Sequence, residues 1–247
     1  MKYKYISASE TGLKRARNED SVGVFDVPTG LLVIVCDGVG GNNAGEVASG
    51  LSVETIHSNF IGSELNDHLE KIKGAIINAN HLINEKSKNN IDFLGMATTV
   101  ELLFLNKDSA YWGHVGDSRI YIWKNGKLKQ ITKDHSLVQK LIDEGHLTFK
   151  EAEKHPNRNI VMRALGDKAV VDIDLSKQKL NAKDELKFFV CTDGVTEVIT
   201  NDEIEELLML KDLGQISETL KSKIEERGAP DNYSFVIIEK IGRWSEQ

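Results

Sequence analysis

Six short apolar runs, at residues 31–36, 98–105, 110–115, 120–123, 186–192 and 234–239, decide most of what this chain can fold into. Each is four to eight residues long, a length that suits buried strands. Most of them stop at Gly, Asp or Asn, residues that turn a chain. The gaps around Lys107-Asp108 and around 116–119 read as hairpins, and Asn125-Gly126 reads as a further turn. Helices are also legible. Leu65, Leu69, Ile72, Ile76, Ala79 and Ile83 step by four and three and so share one face. Leu213, Ile216, Leu220 and Ile224 make a second stripe. Residues 44–60 and 137–144 read as helices, and Asn201 or Asp202 is placed to cap one over Ile204, Leu207 and Leu208. Strict alternation of strand and helix is missing, so the pattern predicts an α+β fold with helices covering antiparallel sheets. Residues 133–167 are polar and too long for an ordinary loop, the mark of a lid or binding segment.

The 247 residues can build one large domain or two small ones. Lys plus Arg is 31 and Asp plus Glu is 38, a net charge of 31 − 38 = −7. That balance disfavours nucleic acid as a partner. No apolar run is long enough to span a bilayer. Met1-Lys-Tyr-Lys-Tyr offers no secretory leader. The two cysteines, Cys36 and Cys191, make no disulfide scaffold, so a cytoplasmic protein is expected.

The acids at strand boundaries carry the chemistry. The run 31–36 leads into Asp37-Gly38, 110–115 into Gly116-Asp117 and 186–192 into Asp193-Gly194, while Asp231-Asn232 precedes 234–239. One Asp-Gly is an ordinary turn. Four such acids also fit a converging set that binds a hard cation, because clustered carboxylates repel unless neutralised. Oxygen donors favour magnesium or manganese, and the seven histidines form no zinc motif. Neither cysteine is followed six residues later by the arginine of a phosphate loop: Asn42 and Glu197 stand there. Arg15 and Arg17 beside Asn18-Glu19-Asp20 read either as a solvated polar turn or as a guanidinium poised for a phosphoryl oxygen.

Taken in order, these segments resemble the metal-dependent PPM (PP2C-type) serine/threonine protein phosphatases in their compact bacterial form. The resemblance rests on Gly12…Arg15…Asn18-Glu19-Asp20-Ser21, Asp37-Gly-Val-Gly-Gly41 with Gly45-Glu46…Ala48-Ser49, and Gly95…Thr98-Thr99. It continues through Val115-Gly-Asp117-Ser-Arg119, Asp134-His135-Ser136, His155…Asn159 with Arg163-Ala-Leu-Gly166, Thr192-Asp193-Gly194 and Asp231-Asn232.

The resemblance implies a single domain over 1–247, built as two packed antiparallel sheets with helices on both outer faces and a flap at about 137–159. It implies manganese or magnesium: Asp37 bridging two ions, the Gly38 carbonyl on the second with Glu19 or Asp20 near it, Asp193 and Asp231 on the first, and Asp117 with Asp193 at a third, weaker site. Arg15 matches the phosphate-contacting arginine, and Arg15, Asp37 and Asp193 are the expected catalytic set. Two cations ready a water for in-line attack on phosphoserine or phosphothreonine, with no phosphoenzyme. Val39 and Asn42 stand where relatives carry histidine, which predicts a preference for good leaving groups such as aryl phosphates. His135 is expected to be a structural hydrogen-bonding residue. The implied partners are phosphorylated proteins and a cognate Ser/Thr kinase, with the enzyme a monomer in signal transduction. Two other readings remain open at this point: a non-catalytic binder of phosphoproteins, and a phosphatase for an anti-sigma antagonist.

Overall fold

A computed structural model describes residues 2–39 and 44–241. Two five-stranded antiparallel sheets stack face to face. The first contains β2 (Ser21–Val27), β3 (Gly30–Cys36), β6 (Val100–Leu105), β7 (Ser109–Val115) and β10 (Asp174–Lys179), ordered β10-β7-β6-β3-β2. The second contains β1 (Lys2–Glu10), β8 (Arg119–Lys124), β9 (Lys127–Gln130), β11 (Leu186–Cys191) and β12 (Tyr233–Ile241), ordered β1-β12-β11-β8-β9. A small two-stranded sheet joins β4 (Gly38–Val39) to β5 (Ala97–Thr98).

Alternation along the central strands divides their side chains between two faces. Leu31, Val33, Val35, Leu103, Leu105, Ile120, Phe188, Val190, Val236 and Ile238 fill the space between the sheets. The opposite face of the first sheet packs Leu32, Ile34, Leu102 and Phe104 against α1 (Gly45–Gly62) and α2 (His68–Asn89). The opposite face of the second packs Phe189, Phe235 and Ile237 against α5 (Asp193–Thr196), α6 (Asn201–Leu208) and α7 (Leu213–Glu226). The expected layering is therefore present. Both cysteines are buried and free, and burial raises both thiols, Cys36 to about 12.

Three local expectations are corrected. Residues 116–119 do not form a hairpin: β7 lies in the first sheet and β8 in the second, so the chain crosses between sheets there. The helix over Ile204 is capped by Thr200, whose Oγ1 accepts from the Glu203 N–H at 3.4 Å while Glu203 Oε2 accepts from the Thr200 N–H at 3.1 Å. This reciprocal box places Asn201 and Asp202 inside the first turn. Leu65 is 53% exposed and precedes α2, which starts after an Asp67 cap. The hairpins at Lys107-Asp108 and Asn125-Gly126 are present, the latter with φ of 49° and 88°, as a type I′ turn requires.

The 133–167 insert leaves and rejoins the body through a narrow neck, where Ser136 bridges Val161 and the Leu137 N–H donates to the Ile160 carbonyl at 2.9 Å. Between them stand α3 (Leu137–Asp143) and α4 (Phe149–Ala152). Among the described residues no helix is long and apolar enough to cross a membrane.

Candidate active site

The acids singled out by the sequence meet at one end of the sandwich. Asp37 leaves the end of β3 with its backbone fixed by two threonines. Its N–H donates to Thr99 Oγ1 at 2.9 Å, and its carbonyl accepts from Thr98 Oγ1 and the Thr99 N–H, both at 2.8 Å. Thr99 Oγ1 lies 2.8 Å from Ser118 Oγ, which ties this corner to Asp117. Asp193 opens α5 directly after β11, so its carboxylate stands at the end of a central strand. Asp37 and Asp193 approach each other across the gap between the sheets closely enough for each to act on the other's titration.

Asp20 and Asp117 are the most enclosed of the set, each at 7% exposure. One oxygen of Asp20 accepts from Thr192 Oγ1 at 2.9 Å and the other, Oδ1, has no hydrogen-bond partner. Glu19 is more open: its backbone carbonyl accepts from the Gly38 N–H at 3.1 Å and from Ser49 Oγ at 2.6 Å. Asp231 is held by Arg15, whose Nη2 donates to Oδ2 at 2.6 Å. Gly38 must be glycine because a β-carbon there would lie 2.4 Å from the Gly45 carbonyl and 2.5 Å from that of Glu19. Gly40, Gly41 and Asn42, noted in the sequence, lie outside the described residues.

The electrostatics follow from this crowding. Burial first, then the Asp193 and Asp20 charges, push the Asp37 carboxyl well above the usual carboxylate range. Burial and Asp193 push Asp117 up to about 8. Burial raises Asp20 to about 7 against the opposing hydrogen bond from Thr192. Asp193 rises to about 6 through burial and Asp231, against the opposing influence of Asp37. The guanidinium of Arg15 is made harder to deprotonate by its bond to Asp231. A set of acids this close prefers either protons or cations.

The structure thus brings Asp37, Asp193, Asp20, Asp117 and Asp231 within electrostatic reach of one another, with Arg15 and Glu19 at the rim. Among the described residues no three of them already converge on one ion-sized point. Three supports were not anticipated. The Thr98–Thr99–Ser118 hydroxyls hold the Asp37 and Asp117 turns together. Glu46, in the first turn of α1, pairs with Arg17 at 3.2 Å, and after burial its charge is what raises the Glu19 carboxyl. Asp134 takes a two-point contact from Arg119, Nε to Oδ1 at 3.0 Å and Nη2 to Oδ2 at 2.7 Å. Hydroxyls beside strand-end acids were visible in the sequence as Thr98-Thr99 and Ser118, but nothing in a sequence shows that they face one another. His135 sits behind this corner, its Nδ1 accepting from the Gly116 N–H at 3.1 Å, as a structural residue should.

Comparison with known proteins bears on the family and the fold. Residues 13–226 match the family model described as protein phosphatase 2C. A putative protein phosphatase 2C-type of Streptococcus pyogenes is 34% identical over 93% of this chain and 94% of its own length. The serine/threonine protein phosphatase PstP of Mycobacterium tuberculosis is 33% identical over 96% of this chain, which spans only 45% of that longer protein. The crystal structure of the PstP catalytic domain in complex with two manganese ions superposes with a TM-score of 0.84, at 32% identity, over 96% of this chain and 97% of that one. With that family match across most of its length and a shared fold, this chain belongs to the protein phosphatase 2C family.

Proposed function

We propose that this protein is a metal-dependent serine/threonine protein phosphatase, working on phosphoserine and phosphothreonine with manganese or magnesium. The observation that carries the reading is the all-oxygen acid cluster around Asp37 and Asp193, with Arg15 at its edge. The residues fit hard divalent ions on three counts. The donors are carboxylates and a backbone carbonyl. Their mutual repulsion is offset by added positive charge. The buried, unpartnered Asp20 Oδ1 also asks for a cation or its water shell.

Asp37, the Gly38 carbonyl, Asp193 and Asp231 would hold the ions, with Asp117 beside Asp193, and Asp20 and Glu19 orienting their water. When bound, the ions supply a water acidified enough to attack phosphorus and neutralise charge on the phosphoryl oxygens. The protein does the rest. Arg15 leaves a two-point guanidinium free to grip a phosphoryl oxygen once Asp231 turns to other work. Asp37 and Asp193 face each other from the two sheets, so the sandwich fixes the position at which attack occurs. No side-chain nucleophile is needed: both thiols are buried and held protonated. The 137–159 segment would serve as a flap beside this end, within one domain over 1–247.

The reading extends to a cytoplasmic monomer in signal transduction that opposes a Ser/Thr kinase. The relatives' names as serine/threonine phosphatases support phosphorylated proteins as its substrates. The test is hydrolysis of a phosphothreonine peptide and of an aryl phosphate by the full chain. Manganese-dependent turnover lost on chelation and in Asp193→Ala is expected. A metal-loaded wild type that binds phosphopeptide without turning it over would overturn it.

A further inference from the structure

Asn232 carries no reactive group, yet three separate bonds converge on its buried side chain. Nδ2 donates to the Thr11 carbonyl at 2.7 Å and to the Arg17 carbonyl at 2.8 Å, and Oδ1 accepts from the Glu19 N–H at 2.9 Å. Both donors of the carboxamide, and its acceptor, are thus spent on one loop, residues 11–19, more than two hundred positions away. The side chain is 5% exposed, so no water competes freely for these bonds.

The surrounding backbone is fitted to the same contact. The Leu13 N–H donates to the Ala229 carbonyl at 3.0 Å. Gly12 has φ +73°, and a β-carbon on it would lie 2.1 Å from the Asp231 carbonyl. From the other side, a β-carbon on Gly194 would lie 1.9 Å from the Asn232 carbonyl. The loop carries Arg15 and Glu19, while the segment behind Asn232 carries Asp231 and abuts Asp193. Arg15 itself is half exposed, with Asp231 as its close partner. Its reach is therefore defined by the loop below it, and the loop by Asn232.

We propose that Asn232 is a positioning residue: its carboxamide locks the Arg15 loop to the start of β12, so that the Arg15 guanidinium is held where it reaches a phosphoryl group beside the acid cluster. This rests on the proposed phosphatase function. Were Asn232 only a structural peg, its loss would lower stability and leave the contribution of Arg15 to binding intact.

The test is a double-mutant cycle on the full chain, with aryl phosphate at saturating manganese. Arg15→Ala and Asn232→Ala are each expected to raise KM about tenfold, the equivalent of one or two lost hydrogen bonds, with kcat changed far less. The double variant is expected to match Arg15→Ala alone, because Asn232 acts through the loop. An unchanged KM in Asn232→Ala, or penalties that multiply in the double variant, would overturn the proposal. If Asn232→Ala does not fold, Asn232→Asp, which keeps the acceptor for Glu19 and loses both donors, takes its place in the cycle. A second readout needs no turnover: in metal-free protein, amide exchange of residues 12–19 should accelerate about tenfold in the variant while α7 is unchanged. Unchanged protection there refutes the role of Asn232 whatever the enzyme does. Absence of chelator-sensitive hydrolysis in the wild type refutes instead the functional reading on which the KM cycle depends.

Discussion

Single side chains in this protein are read through what crowds them. Asp37 is surrounded by carboxylates, so Asp37→Asn is expected to abolish manganese-dependent hydrolysis by at least about a hundredfold. The same change removes repulsion, so the metal-free variant should melt above the wild type in calorimetry. A melting point below the wild type would show that Asp37 is held by favourable bonds instead. His135 gives a pH prediction away from the acids. Burial, with the positive charge of His114 and Arg163 facing it and Asp174 opposing, pushes its imidazole down to about 4. The unfolded chain therefore takes up a proton near pH 6.5 that the folded form refuses. Stability should fall as pH drops from about 6.5 towards 4, by at most on the order of 3 kcal/mol. Urea titrations at both pH values check this, and His135→Asn, which retains an acceptor for the Gly116 N–H, should flatten that part of the profile. The acids at strand ends were legible as residues because Asp next to Gly after an apolar run is a local pattern. The Asp20–Thr192 bond was not, since it joins positions 172 residues apart.

At the level of elements, the six apolar runs all became central strands. Within the two large sheets, the four strands that carry no such run, β1, β2, β9 and β10, are the four edges. An edge strand has solvent along one side and is guarded by polar and charged residues, as in Asp174–Lys179 and Lys127–Gln130. Its signal in sequence is therefore weak for the same reason that it is safe at an edge. The Thr200 cap shows the converse failure. Asn201 and Asp202 are good caps by residue type, but the reciprocal bond with Glu203 selects the threonine one position earlier. Thr200→Ala should destabilise the fold by about 1 kcal/mol in urea unfolding, whereas Asp202→Ala, two positions inside, should cost clearly less. Equal losses would return the cap to Asp202.

For the whole molecule, the decisive feature is that one apolar layer belongs to both sheets. Val33 and Leu103 face Phe188 and Val236 across it, so neither sheet can bury its inner face alone. Trp112 sits in the first sheet and Trp123 in the second. With Trp244 replaced, each single-tryptophan variant, retaining Trp112 or Trp123, should show the same urea midpoint by fluorescence and by far-UV circular dichroism, the sign of one cooperative unit. Separated midpoints would mean that the sheets fold as independent domains. Strand cores, helix stripes, the acids and the family are readable along the chain, because each is written in short-range periodicity or in a local motif. That residues 116–119 cross between sheets instead of turning back, that Arg15 reaches Asp231, and that Asn232 bonds to the loop beneath it emerge only in the folded molecule. Those contacts join residues far apart in the chain, where geometry depends on how two sheets stack, and no local pattern encodes that.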